Sequence, residues 1–276
     1  MAENAVQVQY RSEFIAGFEQ RQSLVRKTVT TAADIKGSSA VFLVADSGNA
    51  TAVTRGLNGL IPARASNLNQ YTATLTEWHD LTRRTRFNIY TSQGDARQIM
   101  QNDAMGVINR KIDNEIITEL NTATQDTGAA ATASLSLVMY ALTILGNNSV
   151  PLDGNISALI TPAFHAYLMQ VKEFGSVDWV NNKPFAGSLM AYRWAGVNFI
   201  VHPNLPGKAT AAEKCFMYHK DAIGSAFDLE NVDVVVDYDK EQDYSFARAS
   251  GFMGSKLLQN SGVVVLNHNG SAYAAQ

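Results

Sequence analysis

Side chains that could carry out chemistry are few and scattered in this chain of 276 residues. The five histidines stand at spacings that form no pair of metal ligands, and each is expected to be a hydrogen-bonded structural residue. They are His79, His165, His202, His219 and His268. The single cysteine, Cys215, lies in the apolar stretch KCFMYH, which predicts a small buried side chain rather than a reactive thiol. One cysteine also excludes an intrachain disulfide and a thiolate metal cage.

Glu77, His79 and Asp80 bring two carboxyl groups and an imidazole together in the sequence. They could serve acid–base catalysis, but in a predicted strand Glu77 and His79 share a face and Asp80 points to the other. Residues 221–243 hold eight acids and one base without the spacing of a calcium-binding loop, which predicts a solvated acidic face. Phosphate-binding glycine motifs, the G-x-S-x-G elbow and H-E-x-x-H are absent. The sequence therefore predicts no catalytic residue, no cofactor and no metal site.

A basic cluster at Arg83, Arg84 and Arg86 lies on a predicted extended ribbon. It could contact phosphates, although no aromatic residues are interleaved with it, or it could form a solvated edge that resists strand aggregation. Given the acidic run in the same chain, we favour a third interpretation, in which these arginines pair with acids of an adjacent copy. Trp78, Phe14 and Phe18 are further candidates for contacts between copies.

The composition is that of a globular chain with few charges, with 46% apolar and 17% charged residues. A typical charged fraction is about 25%, so the shortfall suggests a surface covered by other subunits. A surface rich in Ala, Thr, Asn and Ser explains it equally well. The net charge of −3 gives no global attraction to nucleic acid. We find no apolar run long enough to span a bilayer and no secretory signal, and expect folding in a reducing cytoplasm.

The segments that must position these residues follow one another in a simple order. Residues 1–35 are polar with scattered apolar residues, which predicts an arm that cannot fold alone. Residues 36–91 contain strand-like runs around a tip rich in glycine and asparagine, which predicts an extended β-hairpin. A two-stranded ribbon is marginally stable by itself, so the arm and the ribbon are expected to pack against another chain.

A long helix is predicted for residues 94–122, because apolar residues recur there every three or four positions. They are Met105, Ile108, Ile112, Ile116 and Leu120. Residues 133–224 predict a compact α/β part, with helices over 134–148 and 162–174. The chain ends in strand-like runs at 231–240 and 244–266, with a bend or bulge expected at Gly251 and Gly254.

This order of parts resembles that of the major capsid proteins of tailed bacteriophages, which have the Hong Kong 97-type fold. The similarity of the sequence itself is greatest over residues 94–122 and 216–267. In the latter, a strand and the tripeptide AIG lead to an acidic strand, a glycine-rich helix or bend, and a last hydrophobic strand. The resemblance implies an α+β fold with an N-terminal arm at 1–35, an extended β-hairpin (E-loop) at 36–91, an axial (A) domain at 133–224, and a peripheral (P) domain at 92–132 and 225–276 that carries the spine helix 94–122.

The resemblance implies a protein without enzymatic activity that assembles into an icosahedral shell around the double-stranded DNA of a tailed phage. The implied partners are many copies of the chain in hexamers and pentamers, together with portal, scaffolding or decoration proteins. DNA would be enclosed without sequence-specific binding, and no membrane would be involved. The protein would belong to the virion capsid and be made and assembled in the cytoplasm of a bacterial host.

Three other functions remain open at this point. The same fold, by resemblance, serves encapsulins, which enclose cargo enzymes. Another virion structural protein, of a tail or a decoration, is the second alternative. A soluble α/β enzyme that uses residues near His165 or His219 is the third. Some members of the resembling family cross-link their shells through lysine and asparagine, but the ribbon tip at 48–60 holds no lysine, so we do not expect that chemistry here.

Overall fold

Strands dominate the two ends of the chain and most helices lie between them in a computed structural model, which describes residues 22–32, 35, 37–47, 50–59, 61, 63, 67–91, 96–175 and 191–273. The helices are α1 (Arg86–Thr91), α2 (Ala96–Leu120), α3 (Leu135–Asn147), α4 (Pro162–Leu168) and α5 (Lys172–Gly175). The strands are β1 (Thr30–Thr31), β2 (Ser39–Asp46), β3 (Asn67–Thr74), β4 (Thr76–Thr85), β5 (Ile156–Ile160), β6 (Ala191–Trp194), β7 (Val197–Val201), β8 (Glu213–His219), β9 (Ile223–Asp239), β10 (Tyr244–Leu257) and β11 (Val263–His268).

The chain divides into two compact units, each assembled from separate stretches of sequence. The first unit comprises Met1–Ser23, Thr76–Asn114 and Phe227–Met253. The second comprises Leu24–Leu75, Glu115–Ala226 and Gly254–Gln276. Among the described helices, none combines the length and the apolar character needed to span a membrane.

In the first unit, β4 and β10 form an antiparallel pair in which Thr76 lies opposite Met253 and Thr85 opposite Tyr244. Alternate residues of β10, including Ala247 and Ala249, are fully buried, as expected for a strand with one face against a core. The N-terminal part of α2 contacts this sheet, because the Lys111 ammonium lies 3.6 Å from the centroid of the Trp78 ring.

Helix α2 confirms the predicted long helix, but its buried stripe differs from the predicted one. Ile108, Ile112, Ile116 and Leu120 are buried as expected, whereas Met105 is 46% exposed, so its assignment to the buried stripe was wrong. The stripe instead continues at intervals of four through Ala104 and Met100. Met105 lies seven positions before Ile112 and therefore on the same side of the helix, so the period alone does not separate the two and their packing surroundings decide which is buried.

The core of the second unit is a mixed sheet with the strand order β11-β8-β5-β7-β6 among the described residues. Strands β5 and β7 run parallel, and the other neighbours are antiparallel. Central β5 is buried at all of its five residues. The hydroxyls of Ser134 and Thr161 cap the N-termini of α3 and α4. The predicted helix over 134–148 is thus confirmed as α3.

Two predicted elements differ from the structure. The helix expected over 162–174 is interrupted between α4 and α5, where the N–H groups of Gln170 and Val171 bond carbonyls three residues back and tighten the helix end. The closing segment, for which the resemblance left a helix or a bend open, continues as strand through Leu257 in β10. Gly254 is needed there, since a Cβ atom would lie 2.2 Å from the carbonyl oxygen of Thr74.

A two-stranded hairpin of β2 and β3 also belongs to the second unit. Its pairing runs from Ser39 opposite Thr74 to Asp46 opposite Asn67. The ribbon predicted over 36–91 therefore pairs within itself only as far as Thr74. Strand β4 continues the alternation of side chains along the chain, but it pairs with β10 instead. The division into arm, E-loop, A-domain and P-domain stays a prediction.

Candidate functional site

The predicted basic cluster lies at the end of β4 in the first unit. Arg83 and Arg86 are exposed, whereas Arg84 lies on the opposite face of the strand and is half-buried. The Arg83 guanidinium carbon is 5.0 Å from the centroid of the Tyr244 ring on the neighbouring strand. An exposed cation–π contact of this kind contributes about 0.5–1 kcal/mol. It orients the Arg83 guanidinium over the ring and leaves its N–H donors in the guanidinium plane able to form hydrogen bonds.

The turn between β9 and β10 brings acids beside these arginines. The Asp239 carboxylate accepts the N–H groups of Glu241 and Gln242 at 2.8 and 3.2 Å. These backbone donors lower the pKa of Asp239, and the charge of Arg83 acts in the same direction. In the same turn the Tyr238 hydroxyl donates to Asp243, which raises the pKa of Tyr238. Arg83 and Arg86 therefore lie next to acids of their own chain, and pairing with acids of another copy stays a prediction.

The remaining predicted contact residues fall in different places. The Trp78 ring is half-buried under the Lys111 ammonium, and its Nε1 has no hydrogen-bond acceptor within the part of the chain that the structure describes. Phe14 and Phe18 lie outside the described residues.

The Glu77, His79 and Asp80 group is arranged on β4 as the strand period predicted. The Nε2 atom of His79 is 2.9 Å from Oε1 of Glu77, and its Nδ1 atom is 2.8 Å from the Ser250 hydroxyl. Asp80 lies on the other face, and partial burial raises the pKa of its carboxyl. The two carboxyl groups do not converge on one reacting atom, so this group forms no acid–base pair of a catalytic kind.

The hairpin presents one apolar face to solvent. Val41, Leu43 and Leu68 are 49%, 63% and 63% exposed, and the register places all three on the same face. The opposite face is packed, because Ala40 and Ala73 are buried and Phe42 is held against them. In the connection between the strands, Val53, Leu57 and Ile61 are also exposed. An exposed apolar surface of this extent is typical of a contact site.

Sequence reasoning missed one exposed aromatic pair. Phe87 and Tyr90 stand three positions apart on the short helix α1 and are 72% and 87% exposed. Aromatic residues and arginine are enriched at protein interfaces, and Arg86 begins this helix. Two aromatic residues three positions apart, directly after the arginine cluster in the sequence, are the pattern from which this pair could have been predicted.

A buried polar cluster in the second unit was also missed. The Glu213 carboxylate accepts the Thr161 hydroxyl at 2.7 Å and the Ala209 N–H at 2.6 Å, and Nε2 of His268 lies 3.6 Å away. Cys215 is fully buried beside Thr161, and burial raises the pKa of its thiol to about 12. These groups resemble the parts of a nucleophilic site, but a buried protonated thiol is inert. The predicted burial of Cys215 is confirmed.

His165 and His219, the residues named for the enzymatic alternative, lie among groups of the folded chain that bury them or bond them. Nδ1 of His219 accepts the Asp221 N–H at 3.3 Å, and its Nε2 is 3.3 Å from the Asp153 carboxylate. Burial lowers the pKa of His165. Within the described residues, no three His, Cys, Asp or Glu side chains are grouped so as to hold a metal ion.

The described residues thus combine a long helix, a hairpin with an exposed apolar face and charged strand ends, which favours a structural subunit. The sequence matches the family described as phage capsid protein over residues 2–269. The chain belongs to this family. No curated protein matches the sequence.

Chains of solved phage and GTA particles have the same fold. A chain of Mycobacterium phage Che8 is 16% identical with a TM-score of 0.78, covering 97% of this chain and 98% of that one. The capsid of cyanophage P-SCSP1u gives 12% identity and a TM-score of 0.75 over 96% and 93% of the two chains. The capsid of a native GTA particle gives 15% identity and a TM-score of 0.72 over 97% of each. The predicted α+β, Hong Kong 97-type fold is confirmed.

Family and fold together make this protein a phage major capsid protein, which assembles in many copies into a shell and is located in the virion capsid. Its role in the family is structural. The encapsulin-like, tail and decoration alternatives have no support in the comparisons.

Proposed function

We propose that the shell formed by this protein is icosahedral, is built from hexamers and pentamers, and encloses the double-stranded DNA of a tailed phage. The hairpin of β2 and β3 docks its exposed face on a neighbouring copy. The observation that carries this proposal is the apolar face formed by Val41, Leu43 and Leu68 on a hairpin with no third strand among the described residues. Such a face gains stability only when another surface covers it.

Burial of this face would contribute to the free energy of assembly. Complete burial of a Val or Leu side chain contributes about 1.5–3 kcal/mol, so several such residues offset part of the entropy lost on association. Each copy offers the same hairpin and receives one from a neighbour, and repeated head-to-tail contacts of this kind close into rings. Hexamers and pentamers are two closures of the same contact.

The arginine cluster supports a second contact between copies. Arg84 is half-buried at the end of β4. An acid of a neighbouring copy, from the turn at 237–243, would pair with it. We expect Arg84→Glu to abolish assembly and a second reversal, Glu241→Arg, to restore it. A double variant that stays unassembled while both chains remain folded would contradict this pairing.

The near-neutral charge of the chain suits the enclosure of DNA. The net charge of −3 leaves little counterion release to hold phosphates, so a packaged duplex can move against the shell. Portal, scaffolding or decoration proteins are the expected additional partners. Synthesis and assembly in the cytoplasm of a bacterial host fit a chain with a single cysteine and no disulfide.

Electron microscopy of purified particles tests the proposal directly. We expect closed icosahedral shells from the isolated protein and, from infected cells, particles that protect double-stranded DNA from nuclease. A nuclease treatment of disrupted particles is the matched control. Particles that hold a cargo protein and no DNA, or a discrete small oligomer in place of shells, would contradict the proposal.

A further inference from the structure

A basic cavity lies in the second unit, where residues near the start of the described chain meet the end of β8. Its volume is about 680 Å³. Among the described residues, three cations, two hydroxyl groups and one carboxylate line it, together with one valine. The polar ones are Arg26, Lys27, Lys220, Thr30, Thr31 and Asp221. Because the positive groups outnumber the negative one, the cavity attracts anions.

The cations come from two short 3₁₀ helices that are far apart in the sequence, Arg26–Thr28 and Lys220–Ala222. The first precedes β1 and the second directly precedes β9. Strands β1 and β9 pair in parallel, with Thr30 opposite Gly224. Since each 3₁₀ helix lies before one of two parallel strands, both meet at the same end of the pair, and their cations line one cavity.

The first of these 3₁₀ helices is fastened to the core of the unit. Val25 and Val29, on either side of it, are 0% and 2% exposed. The Thr28 hydroxyl contacts the hydroxyl of the buried Tyr218 on β8. The backbone that carries two of the cations is therefore already ordered, so binding an anion costs little further backbone entropy.

The side chains that line the cavity have the donors that a phosphate group accepts. Lys27 and Lys220 are exposed, and each ammonium has three N–H donors. Arg26 is half-buried, and a guanidinium matches the geometry of phosphate oxygens. The Asp221 carboxylate opposes an anion, but it accepts the Thr30 hydroxyl at 2.9 Å and so helps to hold β1 beside the second 3₁₀ helix.

The size of the cavity favours a phosphate group that is part of a larger molecule. Sites for small organic ligands have volumes of about 300–1,000 Å³, and this cavity falls in that range. Cations and hydroxyl groups contact phosphates and sugars and carry no information about base sequence. The lining therefore fits a nucleic-acid backbone better than it fits a base.

We propose that the cavity formed by Arg26, Lys27 and Lys220 binds phosphate groups of the DNA backbone irrespective of sequence, where the choice of DNA as the source of phosphate rests on the proposed function. Each copy then holds the enclosed duplex at a few phosphates. So local a contact is compatible with the net charge of −3. Each contact is weak by itself and is sensitive to salt, because binding releases counterions from the DNA.

The double variant Lys27→Gln, Lys220→Gln tests the site in the unassembled full-length chain. The probe is a short fluorescent duplex of arbitrary sequence, and anisotropy measures its binding between about 50 and 200 mM salt. We expect binding at the lowest salt to weaken by about tenfold or more, and the slope of log K against log salt to become shallower by about 2, which is about 1 for each lysine. The loss should be the same for duplexes of different sequence.

Two exposed lysines elsewhere in the second unit provide the matched control. The double variant Lys208→Gln, Lys256→Gln removes the same charge and should keep the wild-type slope. A slope that changes equally in both double variants, or in neither, would overturn the site. A Lys27→Gln, Lys220→Gln chain that binds duplex as wild type but no longer assembles would overturn it too, because the cavity would then receive an acidic segment of another copy.

Asp221→Asn changes the site in the opposite direction. It removes the carboxylate and keeps an acceptor for the Thr30 hydroxyl, so we expect duplex to bind more tightly, by up to about fivefold. Unchanged or weaker binding would count against a phosphate in this cavity. These outcomes are distinct from those that test the enclosure of DNA: particles with nuclease-protected DNA and a wild-type salt slope in the lysine variant would overturn the site alone, whereas particles without DNA would contradict the proposed function.

Discussion

Single residues in this protein acquire their properties mainly from burial. Cys215 carries a thiol, which is a reactive type of group, yet it lies on strand β8 with no exposed surface. His79, by contrast, keeps an exposed ring between Glu77 and Ser250 and has only a surface role. The type of a side chain therefore predicts its chemistry here less well than the face of the strand on which it lies.

Cys215 gives the first prediction. Burial raises the pKa of its thiol to about 12, so almost no thiolate is present at pH 8 and reagents cannot reach the sulfur. We expect no labelling of the folded protein by a maleimide over hours and rapid, stoichiometric labelling in denaturant. Labelling of intact shells at the rate of a small free thiol would contradict the assignment of Cys215 to the core.

The burial of Cys215 could be predicted from the sequence, whereas the contact of Glu213 with His268 could not. Cys215 stands within an apolar run whose strand character is a local property. Glu213 and His268 meet only because β8 and β11 pair in one particular register, and a shift by one residue would separate them. Such a register depends on the whole sheet, and a local pattern does not contain it.

At the scale of the element, helix α2 shows how far periodicity reaches. The recurrence of isoleucine predicted both the helix and most of its buried face, because the helical period is a property of the backbone. The same pattern included Met105, which the structure exposes. A spacing of three or four residues covers a wide stripe, and only the packing partners decide which edge of the stripe is buried.

Two positions that lie seven residues apart, on the same side of α2, give a matched pair of variants. Ile112 is 4% exposed and Met105 is 46% exposed on the same helix. We expect Ile112→Ala to lower the free energy of unfolding by about 2–5 kcal/mol, because it leaves a cavity in the core. Met105→Ala should change it by less than about 0.5 kcal/mol. Chemical denaturation of the unassembled chain measures both, and equal effects would mean that Met105 is packed as tightly as Ile112.

Glycines at close approaches give another prediction for single elements. A Cβ at position 254 would lie 2.2 Å from the carbonyl oxygen of Thr74, and a backbone atom cannot move aside cheaply. We expect Gly254→Ala to destabilise the protein by about 1–3 kcal/mol. Gly146, in α3, has no atom of the described residues outside its own turn of helix within 4 Å of the position that a Cβ would take, and Gly146→Ala should be neutral or stabilising by up to about 1 kcal/mol. The thermal midpoints distinguish the two, and a neutral Gly254→Ala would argue against this close approach.

At the scale of the whole molecule, the low charge of the chain and its exposed hairpin have one explanation. The low fraction of charged residues is explained equally well by a surface covered by other subunits and by an ordinary polar surface. The structure places Val41, Leu43 and Leu68 on one solvent-facing side of a two-stranded sheet, which favours the covered surface. The long helix and the hairpin strands could be predicted from the sequence, because each of these elements has its own local pattern. The contact partners could not, because they lie on other copies.

The hairpin face provides a test that separates assembly from folding. Leu43 and Gln70 lie opposite each other on β2 and β3, and both are exposed. Leu43→Ser removes an apolar contact, whereas Gln70→Ser removes a polar side chain from the neighbouring position on the same face. We expect the thermal midpoint of unassembled chains to be equal in both variants, because neither side chain supports the fold of the monomer. Shell yield, measured by sedimentation, should fall strongly for Leu43→Ser and remain close to wild type for Gln70→Ser, since the loss of one buried leucine weakens every one of the repeated contacts. Normal shells from Leu43→Ser would place the contact between copies elsewhere on the molecule.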